Sequence, residues 1–540
     1  MTNPRTQRIV FQPKTGEALQ RGIRTIVAAV RPTLGPRPRL VAIQRAGRTD
    51  GPEMLDDAGL IARRIIQLPN RDEDMGAMLV RQMLWQVRER VGDGSAAAAV
   101  IFESIYNQGL AYITAGGDAM RLHRDLETGL RGIVNRLAGM TKPLRRRRAL
   151  EHFAHGICYD PELAQMLGEV FDTIGEYGRL DIRRGQGRSI EREYVAGMYW
   201  DAAPYSRAML TGKAQRRVDL EDAAILVSDL NIERGEELVP LLEAMALAGE
   251  RCLLLICRSL APQALSLLMA NSQADHRQIV AVHTPYVGNQ QKATLEDLAL
   301  LTGAQTLLQA AGDSMAAARH AHLGHVRRAW ADKDYFGIVG GQGDPKRLRA
   351  HLAKLRAAVA TATDHDVRKK QRERIGNLMA GSATLWIGGA TETEIKLRTE
   401  LAERAAEALR GALMEGFVSG GGAALLDCRP LLRQMADEAS DRETRTAYRI
   451  LTTALETPVR TLIANAGYDV ARTMGEVDRA APGHGFDVHG ERIAPMIQAG
   501  ILDAASVVRI ATTAAVTTAA LALTTDVLVH RAKPVMSSGP

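Results

Sequence analysis

Gly92-Asp93-Gly94-Ser95, followed by four alanines at positions 96–99, is the stretch that decides how this chain folds. The apolar spacing on either side predicts one amphipathic helix before it and a second helix after it. Backbone amides and one carboxylate therefore meet at a helix N-terminus, where a phosphate and its metal ion bind readily. Alanines stand where a phosphate-binding loop would use hydroxyls, so the stretch predicts a phosphate site that lacks part of its usual donor set.

The composition favours packed helices. Of the 540 residues, 46% are apolar but only 4% aromatic, so the cores must be built from aliphatic side chains and methionine. So few aromatic rings argue against a stacking surface for single-stranded nucleic acid. The net charge of +7 comes mostly from scattered arginines, and the one dense run, residues 145–148, is interpreted as an exposed loop or helix start. We therefore expect no nucleic-acid partner.

The cysteines and the apolar segments indicate a cytoplasmic protein. The four cysteines form no Cys-x-x-Cys pair, which fits buried thiols in a reducing compartment. The first residues carry no apolar signal-peptide core. The tract at residues 511–523 comes closest to a membrane span, but its threonines and alanines predict a buried helix, so no membrane is expected.

The two ends of the chain differ from its middle. Residues 15–140 and 415–525 are predicted to be mostly helical, and residues 346–378 a helical hairpin. Three short apolar runs in the middle predict buried parallel strands in βα units, at residues 224–227, 252–257 and 279–282. The simplest account is an α+β multidomain chain in which an α/β domain is inserted into a helical domain made of both ends.

Short motifs then follow one another in a fixed order over nearly the whole chain. They are Thr33-Leu34-Gly35-Pro36, Asp57 ahead of Ile61-Ala62-Arg63, Met75-Gly76-Ala77, Gly92-Asp93-Gly94, Leu300-Leu301-Thr302-Gly303, Gly389-Ala390-Thr391-Glu392, Gly420-Gly421-Gly422 and Gly500-Ile501-Leu502-Asp503. Together they resemble the type I chaperonins, the GroEL family. One Gly-Asp-Gly would be weak evidence, whereas the ordered set is specific.

The resemblance implies a domain plan and a set of partners. The helical equatorial domain would comprise residues 1–139 and 415–540, the intermediate segments 140–195 and 383–414, and the apical α/β domain 196–382. Members assemble into stacked homo-oligomeric rings, bind ATP and Mg²⁺ equatorially, and enclose non-native client proteins, usually under a co-chaperonin lid.

The resemblance also implies the site residues. Asp57 matches the first catalytic aspartate, and Asp93 matches the Mg²⁺ ligand, although an aspartate there also suits a helix N-cap. Gly35 would allow close backbone approach to the phosphates. The nucleotide-binding positions are Thr33, Leu34, Gly35, Pro36, Asp93, Gly94, Ser95, Ala96, Ala97, Gly420, Gly421, Asp487 and Asp503.

Three departures from the family pattern fall on this site. Ser95, Ala96 and Ala97 stand where the family has consecutive threonines. Asp56 replaces a lysine near the family's monovalent-cation site. Arg404 replaces the second catalytic aspartate, and an arginine stays protonated and is no base, although it could contact a γ-phosphate as a cation.

We therefore expect slow or absent ATP hydrolysis, with nucleotide binding less affected, and a higher turnover in Arg404→Asp. Glu403 and Glu400 lie on the same predicted helix. Glu403 faces about 100° away from Arg404 and Glu400 lies one turn earlier, so rescue by either is a weak alternative.

Apical positions of the family that bind unfolded chains remain mostly apolar here. Met269 adds an adaptable side chain, and the alternative interpretation of the set is ordinary helix core. The client-binding candidates are Tyr205, Met209, Val239, Leu242, Leu265, Met269 and Ala270.

Two further patterns lie outside the nucleotide site. His320, His322 and His325 have a spacing that suits a metal, but no acidic or cysteine pattern accompanies them, so we expect no site there. Residues 8–11 and 526–529 predict the strands by which neighbouring chaperonin subunits associate. The Gly-Gly-Met tail of the family is replaced by residues 536–540.

The sequence thus predicts a divergent chaperonin that assists folding under ATP control with impaired hydrolysis. The alternatives are a fully working foldase in which another acid replaces the lost aspartate, and a non-cycling structural or regulatory paralogue, either a scaffold or a subunit of mixed rings. A nucleic-acid binder using the basic surface is the remaining alternative.

Overall fold

Both ends of the chain fold into one helical unit, and the middle of the chain forms a second unit around a mixed sheet. The computed structural model describes residues 8–36, 38–44, 52–145, 147–195, 197–210, 217–273, 277–362, 364–379 and 381–530. The helical unit comprises Met1–Asp172 and Gly389–Pro540, and the sheet unit comprises Thr173–Gly388. This is the predicted insertion, whereas the separate intermediate segments stay a prediction. Residues 536–540 lie outside the described residues.

The helical unit contains most of the long helices and several short strands. Its helices are Lys14–Val30, Ala58–Arg64, Arg71–Val91, Ser95–Thr114, Ala119–Met140, Arg147–Cys158, Pro161–Ile174, Glu392–Glu415, Ala423–Leu426, Arg429–Glu438, Arg442–Asn465, Val470–Arg479 and Ala505–Leu523. Its strands are Arg8–Phe11, Val41–Ile43, Glu53–Leu55, Phe417–Ser419, His484–Asp487, Arg492–Pro495, Leu502–Ala504 and Val527–His530.

Helix Arg71–Val91 shows how the sequence sets these boundaries. The side chain of Asn70 accepts a hydrogen bond from the amide of Asp72 at the start, and the left-handed Gly92 ends the helix. A Cβ added at Gly76 would lie 2.3 Å from the carbonyl oxygen of Leu19. The helix therefore packs at backbone distance against helix Lys14–Val30, which only glycine permits there.

Helix Ala505–Leu523 is the predicted buried alanine-rich helix. It is long and apolar enough to cross a membrane by length and composition, but 61% of its most apolar window is buried inside the protein. Its most extensive contacts are with helices Ser95–Thr114, Ala119–Met140 and Arg71–Val91. It is therefore a core helix of this unit.

Strands Arg8–Phe11 and Val527–His530 form an antiparallel ribbon in which Arg8 pairs with His530. Val10 and Leu528 are buried on its inner face, while Ile9, Phe11, Val527 and Val529 are exposed. Both predicted strands are present, and they pair with each other within one chain.

The sheet unit contains the predicted βα strands and the predicted hairpin. Its helices are Val239–Ala248, Pro262–Gln273, Gly288–Thr302, Pro345–Thr361 and His365–Met379. Its strands are Arg179–Arg184, Glu191–Val195, Met198–Trp200, Val218–Val227, Asn231–Ile232, Cys252–Cys257, Ser259–Leu260, Gln278–His283, Gly324–Ala331, Phe336–Gly341 and Ser382–Ile387.

The central sheet has six strands, of which Gln278–His283, Cys252–Cys257 and Val218–Val227 are parallel as predicted. Gly324–Ala331, Phe336–Gly341 and Met198–Trp200 extend it with antiparallel pairings, which the sequence did not predict. One face packs against helix Gly288–Thr302 and the hairpin of helices Pro345–Thr361 and His365–Met379. The other face packs against helices Val239–Ala248 and Pro262–Gln273.

Candidate functional site

The Gly-Asp-Gly turn is held tightly between two helices of the helical unit. Gly92 and Gly94 both have positive φ, at +73° and +84°. A Cβ at Gly92 would lie 2.9 Å from the Cβ of Glu407, and one at Gly94 would lie 2.7 Å from Cγ1 of Val507. Helix Ser95–Thr114 starts at this turn without a side-chain cap on its first amides. Those amides lie beside the exposed Asp93, and free amides at a helix start are an arrangement that suits an anion.

The retained hydroxyl of this helix start does not point to such an anion. Ser95 is buried, and its Oγ donates to the carbonyl oxygen of Leu84 over 3.2 Å. Ala96 and Ala97 follow it and are half-buried. Any phosphate here would thus be held by backbone amides rather than by side-chain hydroxyls.

Arg404 lies on helix Glu392–Glu415 among three carboxylates. Its Nη2 is 3.1 Å from Oδ2 of Asp56, and its Nη1 is 3.8 Å from Oδ2 of Asp57. The side chain is 16% exposed, and its Nε is buried without a hydrogen-bond partner in the described part of the chain. Burial opposes the charge, but Asp56, Asp57 and Asp93 outweigh it and raise the pKa of Arg404. The guanidinium is therefore a fixed cation.

Asp56 and Arg404 are two departures from the family pattern, and they form an ion pair with each other. The resemblance puts a lysine and an aspartate at these positions, so this chain carries the same two charges with their places exchanged. The local charge therefore stays balanced, but the carboxylate lies just before helix Ala58–Arg64 and the cation lies on helix Glu392–Glu415. This exchange was not visible in the sequence, because the two residues are 348 positions apart.

Asp57, the matched first catalytic aspartate, is fully engaged in the structure. Its Oδ1 accepts the amide hydrogen of Leu60 over 2.7 Å and so caps helix Ala58–Arg64. Its Oδ2 accepts a hydrogen bond from Nε of Arg88 over 3.1 Å. With Arg404 on another side, this buried carboxylate is bracketed by two guanidinium groups. Both of its carboxylate oxygens are therefore already engaged by donors of the protein.

Asp503 lies on strand Leu502–Ala504 close to Asp93. Desolvation, and then the charge of Asp93, raise the pKa of Asp503 to about 7, against hydrogen bonds from the amides of Gly422 and Gly421. The glycine turn approaches this strand closely, because a Cβ at Gly420 would lie 2.9 Å from the backbone of Leu502. The structure thus brings the glycine turn and both predicted carboxylates together.

Asp487 ends strand His484–Asp487 in a tight turn. Its Oδ1 accepts the amide hydrogens of His489 and Gly490 over 3.1 and 3.0 Å. The ring of His489 lies 5.9 Å from that of Tyr159. The pKa of Tyr159 is raised by desolvation of its hydroxyl and, to a lesser extent, by the negative charges of Asp503 and Asp93. Tyr159 and His489 therefore connect the Asp487 turn to the carboxylates, and no motif in the sequence pointed to either ring.

The predicted phosphate loop at Thr33–Pro36 is anchored by helix Arg442–Asn465. Nδ2 of Asn465 donates to the carbonyl oxygens of Leu34 and Arg31 over 2.8 and 2.9 Å. Thr33 is buried, and its hydroxyl donates to the Val30 carbonyl over 2.8 Å. Gly35 has φ +113°, and Pro36 is half-buried. The part of Thr33, Leu34, Gly35 and Pro36 in phosphate binding stays a prediction.

Glu400 and Glu403 are the two acids that precede Arg404 in the neighbouring turn of its helix. Burial raises the pKa of Glu403, with Arg88 acting in the opposite direction. Burial also raises the pKa of Glu400, against the charges of Lys396 and Arg88. Both carboxyls are therefore protonated more readily than an ordinary glutamate.

The client-binding candidates of the sheet unit differ in accessibility. Val239 is 41% exposed and Ala270 is exposed, while Leu265 and Met269 are half-buried against the core of the sheet. Met209 and Leu242 are buried in that core. The hydroxyl of Tyr205 donates a hydrogen bond to the carbonyl oxygen of Cys257. The structure therefore exposes part of the predicted set and buries part of it.

A helical unit built from both chain ends, an inserted mixed-sheet unit and a Gly-Asp-Gly turn at a helix start define a chaperonin subunit. The chain belongs to the TCP-1/cpn60 chaperonin family, whose model matches residues 26–533. The predicted family is thus confirmed, and with it a chaperone role.

Solved chaperonin structures share the fold. Two crystal structures of the chaperonin gp146 from the bacteriophage EL 2 (Pseudomonas aeruginosa), both in presence of ATP-BeFx, cover 97% of this chain and 99% of theirs at 18% identity. The TM-score is 0.73 for crystal form I and 0.65 for crystal form II. At this identity the likeness shows the fold alone.

Proposed function

We propose that this chain is a ring-forming subunit that binds non-native proteins and assists their folding under ATP control, with impaired ATP hydrolysis. The observation that carries the second part is the ion pair between Arg404 and Asp56. At the position of the second catalytic aspartate stands a cation that is held in place by a carboxylate. The other matched acid, Asp57, already accepts two hydrogen bonds. Neither position offers a free base for the attacking water.

ATP and Mg²⁺ binding is supported by the helix start at Ser95 and by Asp93. Backbone amides there suit phosphate oxygens, and an exposed carboxylate suits a hard cation. Arg404 acts on Asp93 as a neighbouring positive charge. It would repel Mg²⁺ and attract a terminal phosphate, so nucleotide binding is retained while the metal is held more weakly.

The test is ATP binding and turnover measured on the same purified assembly. We compare the native chain with Arg404→Asp, Asp56→Lys and the double variant Asp56→Lys/Arg404→Asp. The double variant restores both charges to the family arrangement, and we expect it to raise turnover by about 100-fold. Arg404→Asp alone should gain less, because it brings a third carboxylate next to Asp56 and Asp57 and removes the guanidinium that pairs with Asp56.

The matched control is Arg472→Asp, which makes the same charge change at a residue whose side chain is 81% exposed. It should leave turnover unchanged. The proposal of impaired hydrolysis is wrong if the native chain already turns over ATP at an ordinary chaperonin rate. It is equally wrong if the double variant binds ATP and hydrolyses it no faster than the native chain.

A fully working foldase is a second candidate, and the raised pKa values of Glu400 and Glu403 favour it. A carboxyl whose pKa is raised towards neutrality is better suited to accept a proton from water. If either acid serves as the base, Glu400→Gln or Glu403→Gln lowers native turnover by about tenfold or more. Turnover that both variants leave intact rejects this candidate.

Ring assembly and client binding are supported by exposed apolar surface. The outer face of the chain-end ribbon exposes Ile9, Phe11 and Val529, and Val239 and Ala270 lie exposed in the sheet unit. A co-chaperonin lid and mixed rings with a paralogue belong to the same proposal. Electron microscopy with and without ATP separates a cycling chaperonin, which changes conformation, from a scaffold or regulatory subunit, which assembles without responding.

A further inference from the structure

Three potential metal ligands meet near the start of strand Gly324–Ala331 in the sheet unit. Glu250, His320 and His325 each bring one ligand atom to within 4.8 Å of the other two. Nε2 of His325 is 2.7 Å from Oε1 of Glu250, and the rings of His320 and His325 are 6.0 Å apart. Two imidazoles and one carboxylate are a common set of zinc ligands in proteins.

Three different backbone elements carry the ligands of this cluster. Helix Val239–Ala248 ends at the left-handed Gly249, and the amide of Glu250 donates to the Met245 carbonyl over 2.9 Å. His325 lies in strand Gly324–Ala331, directly opposite Ala224 of the neighbouring strand. His320 begins a single turn of 3-10 helix just before that strand. A helix end, a strand and a turn therefore each supply one ligand.

The spacing of the ligand atoms suits a tetrahedral ion. Bonds of about 2.0–2.1 Å to Zn²⁺ separate neighbouring ligand atoms by about 3.3 Å. The hydrogen bond between His325 and Glu250 is shorter than this, and the largest separation in the cluster is below 4.8 Å. Small side-chain rotations would bring all three atoms to one ion. The exposed His320 leaves the fourth position open to water.

We propose that Glu250, His320 and His325 form a Zn²⁺ site in the sheet unit. The ion would replace the hydrogen bond between His325 and Glu250 and join the end of helix Val239–Ala248 to the turn that carries His320. That helix begins with Val239, so the metal would fix the far end of a helix with an exposed apolar start. The site is independent of the nucleotide site, and its failure leaves the proposed chaperonin function untouched.

His322 provides a matched control within the same turn. Its Nδ1 accepts the amide hydrogen of Arg319 over 3.0 Å, and it is not part of the ligand cluster. His322→Ala removes an imidazole two residues from a proposed ligand while it leaves all three ligands in place.

The experiment titrates the full, untagged and metal-free chain with Zn²⁺ against a chromophoric chelator. We expect one Zn²⁺ per chain, and a tetrahedral absorption spectrum when Co²⁺ is substituted. His325→Ala and Glu250→Gln should each weaken Zn²⁺ binding by about tenfold or more, because loss of a ligand costs at least as much as loss of an outer partner. His322→Ala should bind Zn²⁺ like the native chain.

Circular dichroism checks that each variant is folded. If His325→Ala does not fold, His320→Ala, which changes a residue in an exposed turn, replaces it in the titration. The proposal is overturned if the native chain shows no saturable Zn²⁺ binding at micromolar concentrations. It is also overturned if the ligand variants bind as tightly as the native chain, or if His322→Ala loses as much affinity as they do.

Discussion

The charged clusters of the two units contain similar ligand groups but balance their charge in opposite ways. In the helical unit, Arg404 provides a cation for Asp56, Asp57 and Asp93. In the sheet unit, Glu250 lies beside two histidines and pairs with one of them, His325. A bound metal ion stabilises a cluster less when a guanidinium already neutralises its carboxylates. It stabilises a cluster more when imidazoles lie beside a carboxylate. The charge of the neighbouring side chains, more than the number of carboxylates, therefore decides how tightly each cluster would hold a metal cation.

Removing the built-in cation should have the largest effect on stability. Arg404→Ala leaves three neighbouring carboxylates with less compensation, and we expect a loss of about 3 kcal/mol in the free energy of unfolding of the helical unit. Hydrogen exchange of peptides around residues 53–57 and 92–95 measures it. Arg472→Ala, at an exposed ion pair, should cost less than about 0.5 kcal/mol. Equal losses in the two variants would show that the cluster does not depend on Arg404.

The raised pKa of Asp503 predicts an effect that depends on pH and that is smaller than the effect of Arg404 at neutral pH. The folded protein holds this proton up to a pH of about 7, whereas an unfolded chain releases it near pH 3.9. The stabilising contribution is therefore complete below a pH of about 4 and is lost as the pH rises to about 7. At about 1.4 kcal/mol per pKa unit this decline amounts to a few kcal/mol over the whole range, and Asp503→Asn should remove most of it.

Unfolding of nucleotide-free protein at several pH values between these limits measures the decline. Asp172→Asn, at an exposed residue of helix Pro161–Ile174, is the control and should keep the native slope. If the stability of Asp503→Asn depends on pH as steeply as that of the native chain, a group other than Asp503 titrates in this range.

The smallest effect is expected in the sheet unit when no metal is present. Glu250→Gln removes the charge from a partly exposed pair with His325 while it keeps the side-chain shape. We expect a loss below about 1 kcal/mol, measured by hydrogen exchange of strand Gly324–Ala331 in metal-free protein. A larger loss would mean that this pair stabilises its unit as Arg404 stabilises the other, and the contrast between the clusters would disappear.

Much of the fold could be predicted because its signals are local. Apolar spacing gave helix Arg71–Val91, and short apolar runs gave the three parallel strands. The antiparallel strands Gly324–Ala331 and Phe336–Gly341 escaped prediction, since their mixed apolar and polar residues lack a clear period and their partners lie elsewhere in the chain.

The candidate site divides in the same way. Alignment with the family motifs identified Asp57, Asp93 and Arg404 individually. Contacts between residues far apart in the sequence could be recognised only in the folded structure. The ion pair between Asp56 and Arg404 is one such pairing, and the approach of Glu250 to His325 is another. The histidine motif alone predicts no metal site, because the carboxylate beside His325 lies 75 positions away in the sequence.

The ribbon of strands Arg8–Phe11 and Val527–His530 has a consequence for how the protein is made. The first strand leaves the ribosome more than 500 residues before its partner exists. At about 5–20 residues per second, this delay is roughly 25 to 100 s. Within that time the synthesis of the inserted unit is completed. The nascent helical unit meanwhile exposes the apolar faces that its last helices will cover. A newborn subunit of this chaperonin therefore passes through a long interval in which it resembles the clients that chaperonins bind.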